Sequence, residues 1–200
     1  APPPKDLPRS GFLFVGRLSK EKGIHVLAEA LSLCPEGVHC RVAGTGPDEA
    51  LIASHPKVTM LGAICHDAVL DEMNRAIGMV LPSTCSESFP RTIVEAFASG
   101  LPVIASNLGG QPALIGDRSR GLLFRAGDAG DLAEKLTWAS AHETDLAAMG
   151  HTARTYHGQN LTGAKNYRQV LRIYDHARVA LTARSLANHR QAPPLHPGNP

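Results

Sequence analysis

Six short apolar runs recur along this chain, most of them closed by Gly, Ser or Pro: FLFVG (12–16), VHCRVAG (38–44), VTMLG (58–62), IGMVLPS (77–83), LPVIAS (101–106) and GLLF (121–124). Runs of this length, rich in β-branched residues or Leu and bounded by turn formers, read as strands. Between them the apolar period changes. Ile24, Leu27, Ala28 and Leu31 follow the i, i+3, i+4, i+7 rule of a helix face, and Val94, Phe97 and Ala98 repeat it further on. Strands alternating with helices at this spacing imply parallel strands joined by crossovers, and the near-continuous apolar runs imply a sheet covered on both faces. The expected fold is therefore α/β: a Rossmann-like doubly wound parallel sheet of about six strands, helices on both faces, and a C-terminal amphipathic helix. In such a sheet ligands bind beyond the carboxyl ends of the strands, where the strand order reverses.

Composition narrows the function classes. With 200 residues, 43% of them apolar, the chain can bury the core of one domain, and a formal charge of +2 disfavours wholesale nucleic-acid binding. Beyond Asp145, seven Lys or Arg face only Asp175, a local excess that hints at a membrane surface or an acidic partner. Cys34, Cys40, Cys65 and Cys85 show no CxxC spacing, which fits free thiols in a reducing cytoplasm and disfavours zinc. No apolar run approaches the roughly 20 residues of a membrane span, and APPPKDLPRS has no apolar core for a signal peptide. The absence of an initial Met reads as a fragment or a trimmed product. The expected organisation is a linker at 1–10, a ligand-binding domain at 11–160, a helix at 161–183 and a disordered tail at 184–200, with an irregular stretch after the helix at 128–141. On the last helix Tyr167, Val170, Leu171 and Tyr174 form an apolar packing stripe, and Lys165, Arg168 and Arg172 share a neighbouring, solvated face.

The turns after the strands carry the candidate chemistry. In GRLSKEKG (16–23), Arg17 presents a planar fork and Lys22 a point charge at the start of the next helix, a combination suited to a diphosphate. AGTGPDE (43–49) holds Gly44 and Gly46, but the third glycine of a dinucleotide fingerprint is absent, which disfavours a nicotinamide site. That segment reads equally well as an ordinary turn with Pro47 opening a helix, or as a loop lining a ligand. In SESFPRTIVEAFASG (86–100), Pro90 suits the first turn of a helix, which leaves the N–H groups of Arg91 and Thr92 facing an anion site. Glu95 falls on the same face about one turn further in, where a carboxylate suits a hydroxyl pair such as a ribose diol better than a phosphate. Glu87, in the preceding loop, would address whatever the diphosphate carries. Taken singly, each glutamate reads as a solvated or capping carboxylate; their joint placement around Pro90 favours a ligand role. Gly109 and Gly110, in SNLGGQP (106–112), offer further backbone N–H groups or form a plain turn.

Together these segments resemble the C-terminal, nucleotide-sugar donor domain of the GT-B-fold retaining glycosyltransferases of family 4, the glycosyl transferases group 1. The resemblance runs from about residue 11 to 141 and rests on FVGRLSKEKG, VAGTGPDE, VTMLGAICHDAVLDEMNRAIGMVLPS and, most specifically, the two glutamates of ESFPRTIVEAFASGLPVIAS with seven residues between them. It implies that Arg17 and Lys22 bind the diphosphate, that Glu95 holds the ribose hydroxyls and that Glu87 lies by the donor sugar. It also implies that backbone groups of Phe89, Pro90, Arg91 and Thr92 face the phosphates, and that Gly62, Ala63 and Ile64 grip the nucleobase through main chain. Two departures stand out. Pro90 removes a backbone donor where many members have glycine, and the family's GGxPE reads GGQPA here, with Ala113 in place of Glu.

The implied activity is that of the donor half of a hexosyltransferase-type enzyme using a UDP-, GDP- or ADP-sugar without a metal. Arg17, Lys22 and Glu87 would carry the chemistry. The acceptor site would lie in an N-terminal domain outside these residues, so that the isolated chain should transfer poorly or not at all. Expected partners are the nucleotide sugar and that N-terminal domain, with a peripheral membrane or polysaccharide acceptor and no nucleic acid. The expected location is the cytoplasm, at the inner face of the membrane. Glycosidase chemistry fits poorly, because both glutamates flank a phosphate-type site. Two alternatives stay open: a nucleotide-sugar-binding module without catalysis, and a GT-B-fold nucleotide-sugar epimerase.

Overall fold

The structure, a computed structural model, describes residues 8–86 and 90–190. It divides into two compact units, 1–159 and 160–200. The first contains a single parallel sheet of six strands: β1 (Phe12–Val15), β2 (Cys40–Ala43), β3 (Val58–Gly62), β4 (Gly78–Leu81), β5 (Val103–Ser106) and β6 (Gly121–Phe124). Their order is β3-β2-β1-β4-β5-β6. All six expected strands are present, each inside the run that suggested it. Chain order reverses between β1 and β4, which pair in parallel through Phe12 with Gly78 and Leu13 with Met79. The crevice between their carboxyl ends is thus the switch point at which a doubly wound sheet takes its ligand.

Alternation along the strands explains why both faces are covered. Phe12, Phe14, Val80, Ile104, Leu122 and Phe124 point to one face and join one core with Ile24, Leu27 and Leu31 of α1 (Ile24–Leu33) and Leu132 and Leu136 of α5 (Ala129–Ala141). Their neighbours Leu13, Met79, Leu81, Val103 and Ala105 are also buried, as are Met73 of α2 (His66–Arg75) and Ile93, Ala96 and Phe97 of α3 (Arg91–Ala98). A short α4 (Gln111–Ile115) follows β5, and Asp128 caps α5 by accepting from the Asp131 N–H at 2.9 Å.

Four local expectations need correction. The stretch after residue 141 is not irregular but forms α6 (Glu143–Tyr156), whose buried face is Leu146, Met149, Gly150 and Ala153. Half of that stripe is Gly and Ala because the helix comes close to its neighbours: a Cβ on Gly150 would lie 2.3 Å from the Gly100 carbonyl oxygen. Pro47 does not open an α-helix; Asp48 precedes a single 3-10 turn, Glu49–Leu51. Lys22 belongs to a 3-10 turn, Lys20–Lys22, that ends at the left-handed Gly23 (φ 73°) before α1 begins. Pro90 lies just outside α3, as its extended cap residue.

In the second unit α7 spans Gly163–Arg190, beyond the end expected at residue 183. Tyr167, Val170, Leu171 and Tyr174 are exposed on it. The rest of the expected tail, 191–200, lies outside the described residues.

Candidate functional site

Two turns meet at the β1/β4 switch point. The β1 turn runs from Gly16 through Arg17 to Lys22, and the β4 turn leaves Leu81 through Pro82, Ser83 and Thr84. They are tied directly: the Thr84 N–H donates to the Glu21 carbonyl at 2.9 Å, and the Thr84 hydroxyl donates to the Lys20 carbonyl at 3.0 Å. Gly23 completes the contact, since a Cβ there would fall 1.8 Å from the Pro82 carbonyl oxygen. Arg17 is exposed and Lys22 half-buried on this frame. Glu21 lies between them in sequence. A backbone N–H and the charges of Arg17 and Lys22 hold its carboxyl below the usual range.

The glycine pair after β2 supports the β1 turn from the other side. Gly16 donates to the Ala43 carbonyl, Leu18 to the Thr45 carbonyl and Asp48 to the Leu18 carbonyl, each at 3.0 Å. This closeness is what the glycines permit: a Cβ on Gly44 would lie 1.9 Å from the Gly16 oxygen, and one on Gly46 would lie 2.2 Å from the Leu18 oxygen. The two glycines therefore join one turn to another, backbone against backbone. Gly44 and Thr45 also line a cavity.

That cavity, of about 330 Å³, opens at the carboxyl ends of β1 and β2. Its walls include Arg17, Gly44, Thr45, Ala63, Ile64 and Val69. Ala63 and Ile64 follow Gly62, which adopts φ 66° where the β2/β3 register shifts by a bulge, and whose carbonyl accepts from Gly44 at 2.8 Å. Arg17 is thus brought to the same cavity as the Gly62–Ala63–Ile64 loop. Thr45 and Val69 were not expected there. A lone Thr between two glycines and a Val inside a helix carry no chemical signal of their own.

Pro90, Arg91, Thr92 and Glu95 gather at the start of α3, outside that cavity's walls. Among the described residues no side chain caps this helix. Of the first four N–H groups that a helix leaves over, Pro90 has none and Ile93 donates to the Pro90 carbonyl at 3.1 Å. Arg91 and Thr92 carry the remaining two. Glu95 is half-buried one turn further on. Glu87 and Phe89 lie outside the described residues. Gly109 (φ 60°) and Gly110 precede α4 beyond β5, on the far side of β4. Ala113, where a Glu is usual, leaves α4 supported through its backbone: Arg120 donates to the Leu114 carbonyl at 2.6 Å and to that of Ala113 at 3.3 Å.

Sequence reasoning also missed Thr84, Ser106 and Gln111. The Ser106 hydroxyl contacts the Ser83 carbonyl at 2.7 Å and Gln111 Oε1 at 3.3 Å. Ser83, Ser106 and Gln111 are all 0% exposed. Cys65 and Cys85 are exposed, Cys34 and Cys40 buried, and all four are free thiols. No helix among the described residues is long and apolar enough to cross a membrane.

Comparison with known proteins places this arrangement. A putative teichuronic acid biosynthesis glycosyltransferase of Bacillus subtilis is 34% identical over 125 residues, which are 62% of this chain and 31% of that protein. A phosphatidyl-myo-inositol mannosyltransferase of Mycobacterium leprae is 30% identical over 191 residues, covering 88% of this chain and 49% of the relative. Among solved structures, Anabaena HepE in complex with UDP superposes with a TM-score of 0.76 at 23% identity, over 84% of this chain and 49% of that one. A sucrose-phosphate synthase from Thermosynechococcus elongatus does so with a TM-score of 0.74 at 27% identity, over 88% and 47%. The chain spans less than half the length of each of these proteins. The family model for glycosyl transferases group 1 matches residues 9–142. That match takes in the whole sheet, the clamped β1 and β4 turns and the start of α3, and the chain belongs to the glycosyl transferases group 1 family.

Proposed function

We propose that this chain is the donor-binding half of a retaining glycosyltransferase that moves a sugar from a nucleoside diphosphate to an acceptor. The observation that carries this reading is the hydrogen-bonded meeting of the β1 and β4 turns at the switch point. It ties the β1 turn, which carries Arg17 and Lys22, to the β4 turn. In this reading the diphosphate lies at the switch point. Arg17, Lys22 and the Arg91 and Thr92 N–H groups meet the negative charge that grows on it as the sugar departs through an oxocarbenium-like transition state. These groups do the work that a metal ion would otherwise do. Glu95 accepts from the ribose hydroxyls, Glu87 stands by the transferred sugar, and the backbone at Phe89, Gly109 and Gly110 completes the anion site. The base enters the cavity between Thr45 and the Gly62–Ala63–Ile64 loop. The acceptor site and the remaining catalytic groups belong to an N-terminal domain, and the 11–160 segment binds donor without turning it over. Enzyme action takes place in the cytoplasm, on a polysaccharide or at the inner face of the membrane.

Calorimetric titration with UDP, GDP and ADP and their sugars tests the reading. One nucleotide should bind, and Arg17→Ala and Glu95→Ala should each weaken it by about tenfold or more, the equivalent of a hydrogen bond to a charged group. The site assignment fails if no nucleotide binds, or if both variants bind as the parent does.

A further inference from the structure

We propose that Gln111 is a positioning residue of the donor site: through Ser106 it fixes the backbone of the β4 turn, at a cost to its own hydrogen bonding. This rests on the donor-site reading above. Gln111 opens α4, is 0% exposed, and as placed its Nε2 has no hydrogen-bond partner among the described residues. A buried amide with an unpaired end costs folding free energy, and native proteins keep few of them. An apolar side chain of similar size would escape that cost. What the amide contributes is therefore to be sought in what it touches.

It touches Ser106, at the carboxyl end of β5. The Ser106 hydroxyl has one proton and faces two oxygens, the Ser83 carbonyl at 2.7 Å and Gln111 Oε1 at 3.3 Å. The shorter contact has the length of a good hydroxyl-to-carbonyl bond, so the proton goes mainly to Ser83. With that proton committed to Ser83 the Ser106 oxygen can only accept, so the amide is set with its N–H donating to Ser106 Oγ, which holds the hydroxyl in register for that bond and leaves the amide oxygen as the end without a partner among the described residues. Ser83 is where the chain leaves β4, and the next residue, Thr84, grips Lys20 and Glu21 of the β1 turn. A single run of contacts, Gln111 to Ser106 to Ser83 to Thr84 to Lys20, thus crosses the ends of β5, β4 and β1, which are adjacent in the sheet. Gln111 acts on Arg17 and Lys22 from two strands away.

The test separates positioning from simple structural support. In the 200-residue chain, Gln111→Leu, Ser106→Ala and the double variant are compared for thermal midpoint and for affinity toward the nucleotide that binds the parent, starting with UDP. Gln111→Leu should leave the midpoint unchanged or raised while weakening the nucleotide by about tenfold, the worth of one hydrogen bond to a charged group. Ser106→Ala should weaken it similarly, and the double variant should lose no more than the larger single loss. The proposal is overturned if Gln111→Leu binds as the parent does, if midpoint and affinity fall together, or if the two losses add in full. A parent chain that binds no nucleotide overturns the donor-site reading and this proposal with it; a parent that binds beside an unaffected Gln111→Leu overturns this proposal alone.

Discussion

Gly46→Ala is the substitution from which the most can be learned, because its cost follows from backbone geometry. The new Cβ would lie 2.2 Å from the Leu18 carbonyl oxygen and 2.7 Å from the Leu18 carbon and nitrogen, 1.2 Å short of the 3.4 Å at which ordinary contact begins. All three neighbours are main-chain atoms, so no side chain can swing aside. Leu18 is itself 0% exposed and is held to this loop by two hydrogen bonds of 3.0 Å, one to Thr45 and one from Asp48. Relief requires the β1 turn to move away from the β2 turn. We expect about 1 to 3 kcal/mol for the forced displacement and about 1 kcal/mol more for the weakened hydrogen bonds. For a chain of this size that is a fall in melting temperature of roughly 4 to 16 °C. Because the displaced turn carries Arg17, the nucleotide that binds the parent should, under the donor-site proposal, bind at least about tenfold more weakly, as misplacement of a positioning group does. Gly37→Ala is the control. Gly37 has φ 92° with nothing near its absent Cβ, so alanine there meets backbone strain of about 1 to 2 kcal/mol and should leave affinity for that nucleotide unchanged. Urea denaturation with calorimetric titration measures both quantities. Gly46 does not clamp the two turns if Gly46→Ala is no more destabilising than Gly37→Ala and binds the nucleotide like the parent.

Two further outcomes follow from the same structure. Brief alkylation of the native chain at pH about 8, read by peptide mass spectrometry, should label the exposed Cys65 and Cys85 and spare the other two thiols. Burial raises the Cys34 pKa and pushes that of Cys40 up to about 12, so adducts at Cys40 before unfolding would contradict the packing around β2. Burial works to raise the Asp131 pKa, but the Arg125 N–H at 2.8 Å and Lys135 outweigh it and hold the carboxyl below its ordinary 3.8. A folded pKa below the unfolded one gives stability that is present above the unfolded value and is lost as the pH falls through the folded one. Asp131→Asn should therefore destabilise the fold at neutral pH, with the gap closing as the medium is acidified below pH about 4. A gap independent of pH in denaturant titrations would show that the charge is not what Asp131 contributes.

What could be read before the structure, and what could not, divides along a physical line. The strands were legible because a sheet covered on both faces demands apolar runs ended by turn formers, and each of these leaves a local trace. The Pro90 signal worked for the same reason, displaced by one residue. The α6 helix was missed although Leu146, Met149, Gly150 and Ala153 have the right spacing, because a stripe half made of Gly and Ala hardly differs from a polar segment in hydropathy. Its meaning lies in the backbone of Gly100, far away in sequence. Arg17 and the Ala63–Ile64 pair were named together by family resemblance, and the structure places them on one cavity. Thr84 could not be found that way. Its hydroxyl reaches a carbonyl 64 residues upstream, and a carbonyl belongs to every residue, so the pairing leaves no mark on composition or period.

The same reasoning alters the weight given to the glycines. Gly44 and Gly46 draw attention as a fragment of a phosphate-binding fingerprint, in which glycine lets backbone approach ligand. Here the backbone they admit is that of Gly16 and Leu18, so their first effect is on the turn that carries Arg17. Gly23 does the same against Pro82, and Thr84 and Ser106 fasten the next turns by hydroxyl-to-carbonyl bonds. Four successive strands of the sheet, β2, β1, β4 and β5, thus have the turns at their carboxyl ends joined by contacts that each end on a main-chain carbonyl. A site that must meet charge as it develops gains from donors that need not rearrange when it appears. A frame of main-chain contacts supplies that constancy whatever side chains face the ligand. It follows that Gly46→Ala or Gln111→Leu, which remove no ligand-binding side chain, should affect the site through the frame alone.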